Sequence, residues 1–241
     1  MASLLVLWDV DHTLINAGGV GIQVYEQAFR ELYSLEVPSV RVNMAGRTDR
    51  AIAIEMLTMA GLADPHDRVT EFQAVQAAYA PELAAEFAAK GRVLPGVREV
   101  IAAIAASPRP GLRIIQSLLT GNVRELAEVK LGSLGLTEHL DLDAGAYGST
   151  HEVRAELVHE ARRNASRAYR ADFGGDATVI VGDTPLDVEA ALATGARAVG
   201  VATGAFTVGE LAAAGAHAVL PDLADTDLVI AAILGTDVDA P

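Results

Sequence analysis

Four short apolar runs, each stopped by polar residues, constrain this chain more than any other feature. The runs occupy residues 4–8, 112–119, 178–181 and 196–201. An uninterrupted apolar run of this length is typical of a strand buried on both faces of a parallel sheet. Stretches with helical spacing follow, for example over residues 123–131, 186–193 and 208–214. Strands that alternate with helices predict an α/β fold, a doubly wound parallel sheet with helices on both faces.

Residues 17–90 break this alternation, because their apolar residues show only helical spacing. The pattern predicts helices over 22–33, 48–60 and 69–89, with Thr48 as an N-cap and Pro81 as a kink. Glycine-containing segments flank the stretch at 16–19 and 91–96. We therefore predict an all-helical cap domain over residues 17–90, inserted into a core domain formed by residues 1–16 and 91–241. The acidic tail, residues 222–239, is expected to hold a terminal helix over 228–234.

Charge and composition exclude several classes of partner and chemistry. The 241 residues include 32 acidic and 18 basic side chains, a formal net charge of -14. A chain with this net charge does not bind nucleic acid or an anionic membrane through a general positive electrostatic potential. It has no cysteine, which excludes disulfides, thiolate zinc sites and a cysteine nucleophile. Its N-terminus lacks the basic start of a signal peptide and no run approaches a membrane span, so we expect a cytoplasmic protein.

The strongest chemical signal is Asp9-Val10-Asp11-His12-Thr13-Leu14, directly after the first predicted strand. Two carboxylates two residues apart at a strand end can reach the same crevice. One of the two carboxylates could attack phosphorus and form an aspartyl phosphate, while the other protonates the departing alcohol and later deprotonates water. The alternative is a pair of solvated loop aspartates.

A second signal, Gly182-Asp183-Thr184-Pro185-Leu186-Asp187, follows the third apolar run. Asp183 could complete, with Asp9, the oxygen ligands of a magnesium ion. Asp187 could hold a metal-bound water or orient the loop. Alternatively, the segment only caps the helix that begins at Pro185.

A third segment, Thr120-Gly121-Asn122, ends the second apolar run and precedes a helix. A hydroxyl group and free backbone N–H groups at a helix N-terminus can hold a phosphate. By itself the segment is also an ordinary N-cap with a glycine.

Taken in order, these three motifs and the helical insertion resemble the haloacid dehalogenase superfamily. More narrowly, the chain resembles the branch with a helical cap between the first two motifs, which includes phosphoglycolate phosphatase and β-phosphoglucomutase. The resemblance implies a Rossmann-type core, a nucleophile at Asp9, a general acid/base at Asp11 and phosphate contacts from Thr120. It also implies Mg²⁺ held by Asp9, the backbone carbonyl of Asp11, and Asp183.

The chain departs from the family pattern at two positions. The family places a lysine between its second and fourth motifs, but neither Lys90 nor Lys130, the two lysines of the chain, lies in that interval. Arg154 does, just inside a helix that Ser149 or Thr150 could cap, and its planar fork could contact phosphate oxygens. The alternative is an ordinary helix arginine. His12 stands where the family commonly has glycine; it either serves the turn or lines the pocket.

Within the predicted cap, Gly46-Arg47-Thr48-Asp49-Arg50 resembles the loop through which capped family members touch their substrate. Arg47 is the candidate for substrate recognition, with Gly121 and Asn122 from the core; the alternative for Arg47 is an exposed side chain beside an N-cap.

These features favour a Mg²⁺-dependent phosphatase that acts on a small phosphorylated metabolite, as a monomer or homodimer. The alternatives are a phosphomutase, a 2-haloacid dehalogenase and a non-catalytic binding module.

Overall fold

A computed structural model describes residues 2–38, 42–106 and 111–236. Over these residues the strands are β1 (Ala2–Trp8), β2 (Ile15–Asn16), β3 (Arg92–Val93), β4 (Leu112–Thr120), β5 (Ala146–Tyr147), β6 (Thr178–Gly182), β7 (Arg197–Val201) and β8 (Ala218–Leu220). The α-helices are α1 (Gln23–Tyr33), α2 (Asp49–Met59), α3 (Pro65–Tyr79), α4 (Ala84–Lys90), α5 (Val97–Ala106), α6 (Arg124–Ser133), α7 (Arg154–Tyr169), α8 (Pro185–Ala193), α9 (Val208–Ala213) and α10 (Thr226–Leu234). The four predicted strands are confirmed as β1, β4, β6 and β7, and the predicted terminal helix is α10. The end of the acidic tail, residues 237–239, lies outside the described residues.

Six strands form one parallel sheet in the order β5-β4-β1-β6-β7-β8. The chain builds outwards from β1 to β4 and β5, and then returns to add β6, β7 and β8 on the other side. The direction of winding therefore reverses beside β1. Ligands of open α/β sheets bind beyond the carboxyl ends of the strands at such a reversal. All three polar motifs of the sequence lie there, because they follow β1, β4 and β6.

Helices cover both faces of this sheet, as a doubly wound fold requires. Along β1, Val6 and Trp8 belong to one buried cluster, with apolar side chains of α5, α6 and α10. Leu5 and Leu7 belong to a second cluster, with side chains of α7, α8 and α9. Since successive side chains of a strand point to opposite faces, an unbroken apolar run supplies both clusters.

Four helices, α1 to α4, lie between β2 and β3. These two short strands pair antiparallel, with Ile15 opposite Val93, so the chain enters and leaves the helical region side by side. The predicted helix over 69–89 is interrupted near Pro81: α3 ends at Tyr79, a 3₁₀ turn covers Ala80–Leu83, and α4 follows. The division into a core domain and a cap domain at residues 17–90 stays a prediction.

A third apolar cluster forms inside the helical region and extends beyond it. Tyr25, Phe29 and Phe72 are buried at its centre, and the cluster continues through Val123 and Leu126 at the start of α6. Helix α6 therefore packs against the sheet on one side and against the helices of residues 17–90 on the other. No helix among the described residues is both long and apolar enough to cross a membrane.

Two predicted helix caps have different outcomes. The Thr48 hydroxyl accepts the backbone N–H of Ala51 at 3.2 Å and caps α2, as predicted. Neither Ser149 nor Thr150 caps α7, which begins after Val153 without a side-chain cap. The prediction failed because the chain runs on beyond both residues before the first helical turn forms.

Candidate active site

The first site segment leaves the sheet at Asp9, whose backbone N–H donates to the Val181 carbonyl of β6 at 2.9 Å. The following turn passes through His12, which has a φ of 62°. This left-handed conformation is uncommon for a side-chain-bearing residue, although histidine adopts it more readily than most. The His12 N–H donates to the Ile15 carbonyl at 2.7 Å and closes the turn. Both interpretations of His12 hold, because the residue serves the turn and also lines the cavity described below.

Arg154 is a fixed positive charge beside Asp9. Its guanidinium is buried, and Nη2 donates to Asp9 Oδ1 at 2.7 Å and to the Leu119 carbonyl at 2.9 Å. The same nitrogen lies 2.7 Å from Asp187 Oδ1. Since an Nη group carries two protons, both already donated, the contact with Asp187 is one of charge without a hydrogen bond. Burial opposes the charged form, but Asp187 and Asp9 hold the pKa of Arg154 above its ordinary value.

Three buried carboxylates, Asp9, Asp183 and Asp187, converge beyond the strand ends. One carboxylate oxygen from each lies within 4.8 Å of the others. The Thr13 hydroxyl donates to Asp183 Oδ1 at 3.4 Å and ties the first motif to the last. Burial raises the pKa of Asp9 and Asp183, and neighbouring carboxylates add to the rise. The cluster therefore needs positive charge if Asp9 and Asp183 are to be ionised at neutral pH.

This donor set fits a hard divalent cation, which prefers oxygen ligands. Asp187 shows the fit most directly, because its Oδ1 is buried and has no hydrogen-bond donor among the described residues. Its Oδ2 accepts the Thr184 N–H at 3.1 Å and the Thr184 hydroxyl at 2.7 Å, completing a capping box at α8. The two interpretations of Asp187 thus concern different oxygens: one caps the helix and the other faces the acidic cluster.

Thr120 ends β4 beside the carboxylates. Its hydroxyl oxygen accepts the Asn122 backbone N–H at 3.3 Å and the Asn122 side-chain amide at 2.8 Å. Because the hydroxyl acts as acceptor in both bonds, its own proton remains available for another acceptor. Thr120 is fully buried by the protein and lines the cavity.

The cap region meets the loop after β4 through Asp49, a buried residue that sequence reasoning did not single out. Its Oδ1 accepts the Tyr25 hydroxyl at 2.6 Å, and its Oδ2 accepts the Val123 N–H, the N-terminus of α6, at 2.8 Å. The Asp49 N–H donates to the Gly121 carbonyl at 2.6 Å. A cap carboxylate thus already occupies part of the helix end expected to hold phosphate. Burial raises the pKa of Asp49 to about 6, despite these bonds.

Gly121 itself is required by a close backbone approach. A Cβ at this position would overlap the Arg47 carbonyl. Arg47 lines the cavity described below, and its guanidinium Nη1 bonds Glu55 Oε2 of α2 at 2.5 Å and the Asn43 carbonyl at 3.1 Å. Its substrate-binding role stays a prediction, and a substrate would have to compete with Glu55 for the guanidinium.

A second positive charge, which sequence reasoning missed, lies at Asp11. Lys130 is 3% exposed, and its Nζ donates to Asp11 Oδ2 at 2.6 Å and to Asn122 Oδ1 at 2.7 Å. Burial alone would raise the pKa of Asp11, but the ammonium and the Asn122 amide hold it below its usual value. In the sequence, Lys130 precedes the interval between the second and fourth motifs, where the family places its lysine. Its side chain reaches Asp11 from the last turn of α6. Its position in the sequence, eight residues after Asn122, did not assign it to the site.

A cavity of about 510 Å³ lies between the strand ends and the helices α1 and α2. The floor carries Asp9, Asp11, Thr120, Arg154 and Asp183. The opposite wall is less polar and includes the following residues: Ile22, Tyr25, Met44, Ile52 and Leu126. A volume of this size is typical of a small-molecule site.

A family model for haloacid dehalogenase-like hydrolases matches residues 6–192, and the chain belongs to this family. A search of curated proteins found no match. Among solved structures, a hydrolase from Pseudomonas syringae is similar at 21% identity and a TM-score of 0.61, over 95% of this chain and 97% of that one. A predicted phosphatase from Clostridium acetobutylicum is similar at 15% identity and a TM-score of 0.66, over 95% and 99%. A predicted phosphoglycolate phosphatase from Haemophilus somnus is similar at 17% identity and a TM-score of 0.63, over 95% and 98%. At these identities the structural likeness shows the fold alone.

Proposed function

We propose that this protein is a Mg²⁺-dependent phosphatase that hydrolyses a small phosphorylated metabolite through an aspartyl phosphate on Asp9. The observation that carries the proposal is the environment of Asp9. Its carboxylate lies at a strand end, in contact with Arg154 and beside Asp183 and Asp187. Membership of a hydrolase family supports the reaction type.

In this proposal Asp9, Asp183, Asp187 and the backbone carbonyl of Asp11 hold the ion. Mg²⁺ would supply positive charge against which a phosphate dianion can bind among carboxylates. The protein adds its own charge through Arg154, whose buried Nε has no acceptor among the described residues. That N–H and the Thr120 hydroxyl are the donors that we assign to phosphate oxygens.

The two aspartates of the first motif then have separate tasks. The Asp9 carboxylate attacks phosphorus, the ester P–O bond breaks, and its electron pair leaves with the alcohol oxygen, which takes a proton from Asp11. In the second half, the ionised Asp11 takes a proton from a water molecule that attacks phosphorus. Inorganic phosphate leaves, and Asp9 is restored as a carboxylate.

We assign the helical cap the task of covering the cavity. Arg154 Nη1 donates to the Gly46 carbonyl at 3.1 Å, so the cap loop rests on the proposed catalytic arginine. The segments 16–19 and 91–96 would absorb opening for substrate entry and product release. Arg47 would contact the substrate after leaving Glu55.

A panel of phosphorylated metabolites, including phosphoglycolate and sugar phosphates, tests the proposal when phosphate release is measured with and without Mg²⁺. We expect release with Mg²⁺ only, its loss in Asp9→Asn, and its retention in the control Asp227→Asn, which changes an exposed aspartate. Isomer formation from a hexose phosphate would instead indicate a phosphomutase. Chloride release from a 2-haloacid would indicate a dehalogenase. Turnover of no phosphate ester would favour a binding module.

A further inference from the structure

Lys130 is one of two lysines in the chain, and the two have opposite environments. The Lys90 side chain is 56% exposed and pairs with Glu86 within its own helix. The Lys130 side chain is 4% exposed and bonds only Asp11 and Asn122 among the described residues. A buried ammonium must be paired, and both partners of this one belong to the site.

The bonds among these three residues define the orientation of each group. Lysine can only donate and an ionised carboxylate can only accept. The Asn122 amide must therefore turn its oxygen to Lys130 and its nitrogen to Asp11, as the distances of 2.7 and 2.8 Å show. Both donors reach the same carboxylate oxygen, Asp11 Oδ2.

Helix geometry explains how Lys130 reaches so far. Side chains on a helix lean towards its N-terminus, and the N-terminus of α6 is where Asn122 lies. Gly21 lies beside the ammonium, since a Cβ at this position would be in ordinary van der Waals contact with Nζ, at 3.6 Å.

We propose that Lys130, together with Asn122, is a positioning residue that holds Asp11 by Oδ2 and presents Oδ1 to the leaving oxygen of the substrate. This inference rests on the proposed function. With Oδ2 committed to two donors, Oδ1 is the carboxylate oxygen left to exchange a proton with the substrate. A proton passes through Oδ1 to the alcohol oxygen as the P–O bond breaks, and Lys130 stabilises the resulting carboxylate.

The proposal predicts a dependence on the leaving group. An alkyl phosphate needs its departing oxygen protonated, whereas p-nitrophenyl phosphate releases a weakly basic phenolate that does not. In Lys130→Met we expect kcat/KM for the best alkyl phosphate of the panel to fall by about 10- to 100-fold. The value for p-nitrophenyl phosphate should change little, and Lys130→Arg should restore part of the loss. The exposed lysine gives the control, Lys90→Met, which should leave both values unchanged.

Equal losses on both substrates, or no loss on either, would overturn the assignment, since they would indicate general structural damage or no role. If the unmodified protein hydrolyses neither ester with Mg²⁺, the proposed function itself fails, which is a different result. A second measurement uses the unmodified protein, so it does not depend on whether a variant folds. In protein labelled with ¹⁵N at lysine, we expect the Lys130 ammonium to exchange slowly with water and the Lys90 ammonium quickly; rapid exchange of both would also overturn the assignment.

Discussion

The Asp49 carboxylate accepts the backbone N–H of Val123 at 2.8 Å, so the first residue of α2 caps the N-terminus of α6. An anion is favoured at this position because the free N–H groups and the helix dipole both attract negative charge. The Tyr25 hydroxyl shares the same carboxylate. A single buried acid in the lining of the cavity thus connects three helices.

Stability should depend on pH through Asp49. Burial raises its pKa from 3.8 to about 6, so the folded state binds more protons than the unfolded state between these values. The free energy of unfolding therefore falls as pH rises from about 4 to 6 and is then constant, a change of roughly 3 kcal/mol from this group at most. Asp49→Asn keeps the contacts, because tyrosine can accept the amide N–H, and should lose this component of the pH dependence.

Denaturant unfolding at pH 4 and pH 7 measures the effect. The stability of Asp49→Asn relative to the unmodified protein should be higher at pH 7 than at pH 4. The exposed Asp67 supplies the matched control, Asp67→Asn. Parallel pH curves for Asp49→Asn and the unmodified protein would contradict the prediction.

Arg154 should prove irreplaceable by an apolar residue. Arg154→Met leaves the buried carboxylates of Asp9 and Asp187 without their arginine, and we expect kcat/KM to fall by about 100- to 1000-fold. Arg154→Lys keeps the charge but not the fork that reaches both Asp9 and the Gly46 carbonyl, so its loss should be smaller. Arg163→Met changes an exposed arginine of the same helix. If steady-state kinetics gave Arg154→Met the same kcat/KM as Arg163→Met, Arg154 would have no part in the mechanism.

Gly204 is a further residue on which the acidic cluster depends. A Cβ there would overlap Asp183 Oδ2 and would lie 3.3 Å from the Cβ of His12. Gly204→Ala should displace the Asp183 carboxylate and raise the Mg²⁺ concentration for half-maximal activity by about 10-fold or more. Gly209→Ala, in the next helix, meets only the Thr207 hydroxyl at 3.9 Å and should leave the titration unchanged. Coincident Mg²⁺ titrations for the two variants would refute the argument.

Mg²⁺ should stabilise the fold as well as support turnover. An ion that binds only the folded state at 100 times its dissociation constant adds about 2.7 kcal/mol to the free energy of unfolding. The raised pKa values of Asp9 and Asp183 mean that protons compete with the ion, so the stabilisation should grow as pH rises. Thermal melts with Mg²⁺ and with EDTA test this, and Asp183→Asn should reduce the difference.

Most of the site could be predicted because it follows the ends of strands. Asp9, Thr120 and Asp183 each stand where an apolar run stops, and parallel strands bring these ends to one edge of the sheet. Strands β5 and β8 were missed because two or three residues are too few to show a period.

Lys130 could not be assigned to the site from its spacing. A lysine in the last turn of a helix is ordinarily favourable with the helix dipole, and only the rotation of α6 and its covering by the cap direct this one inward. The same holds for Arg47, because sequence spacing alone does not decide whether its side chain binds Glu55 or a substrate.

The apolar cluster that joins the cap helices to Val123 and Leu126 has a consequence for protein engineering. A chimera that exchanged residues 17–90 for the corresponding segment of another family member would set foreign side chains against the native α6. Val123 and Leu126 would lose the large buried rings of Phe29 and Phe72, which belong to the same apolar cluster. To transfer substrate specificity in this way, α6 should be exchanged together with residues 17–90. The part of the chain to exchange is therefore larger than the insertion identified in the sequence.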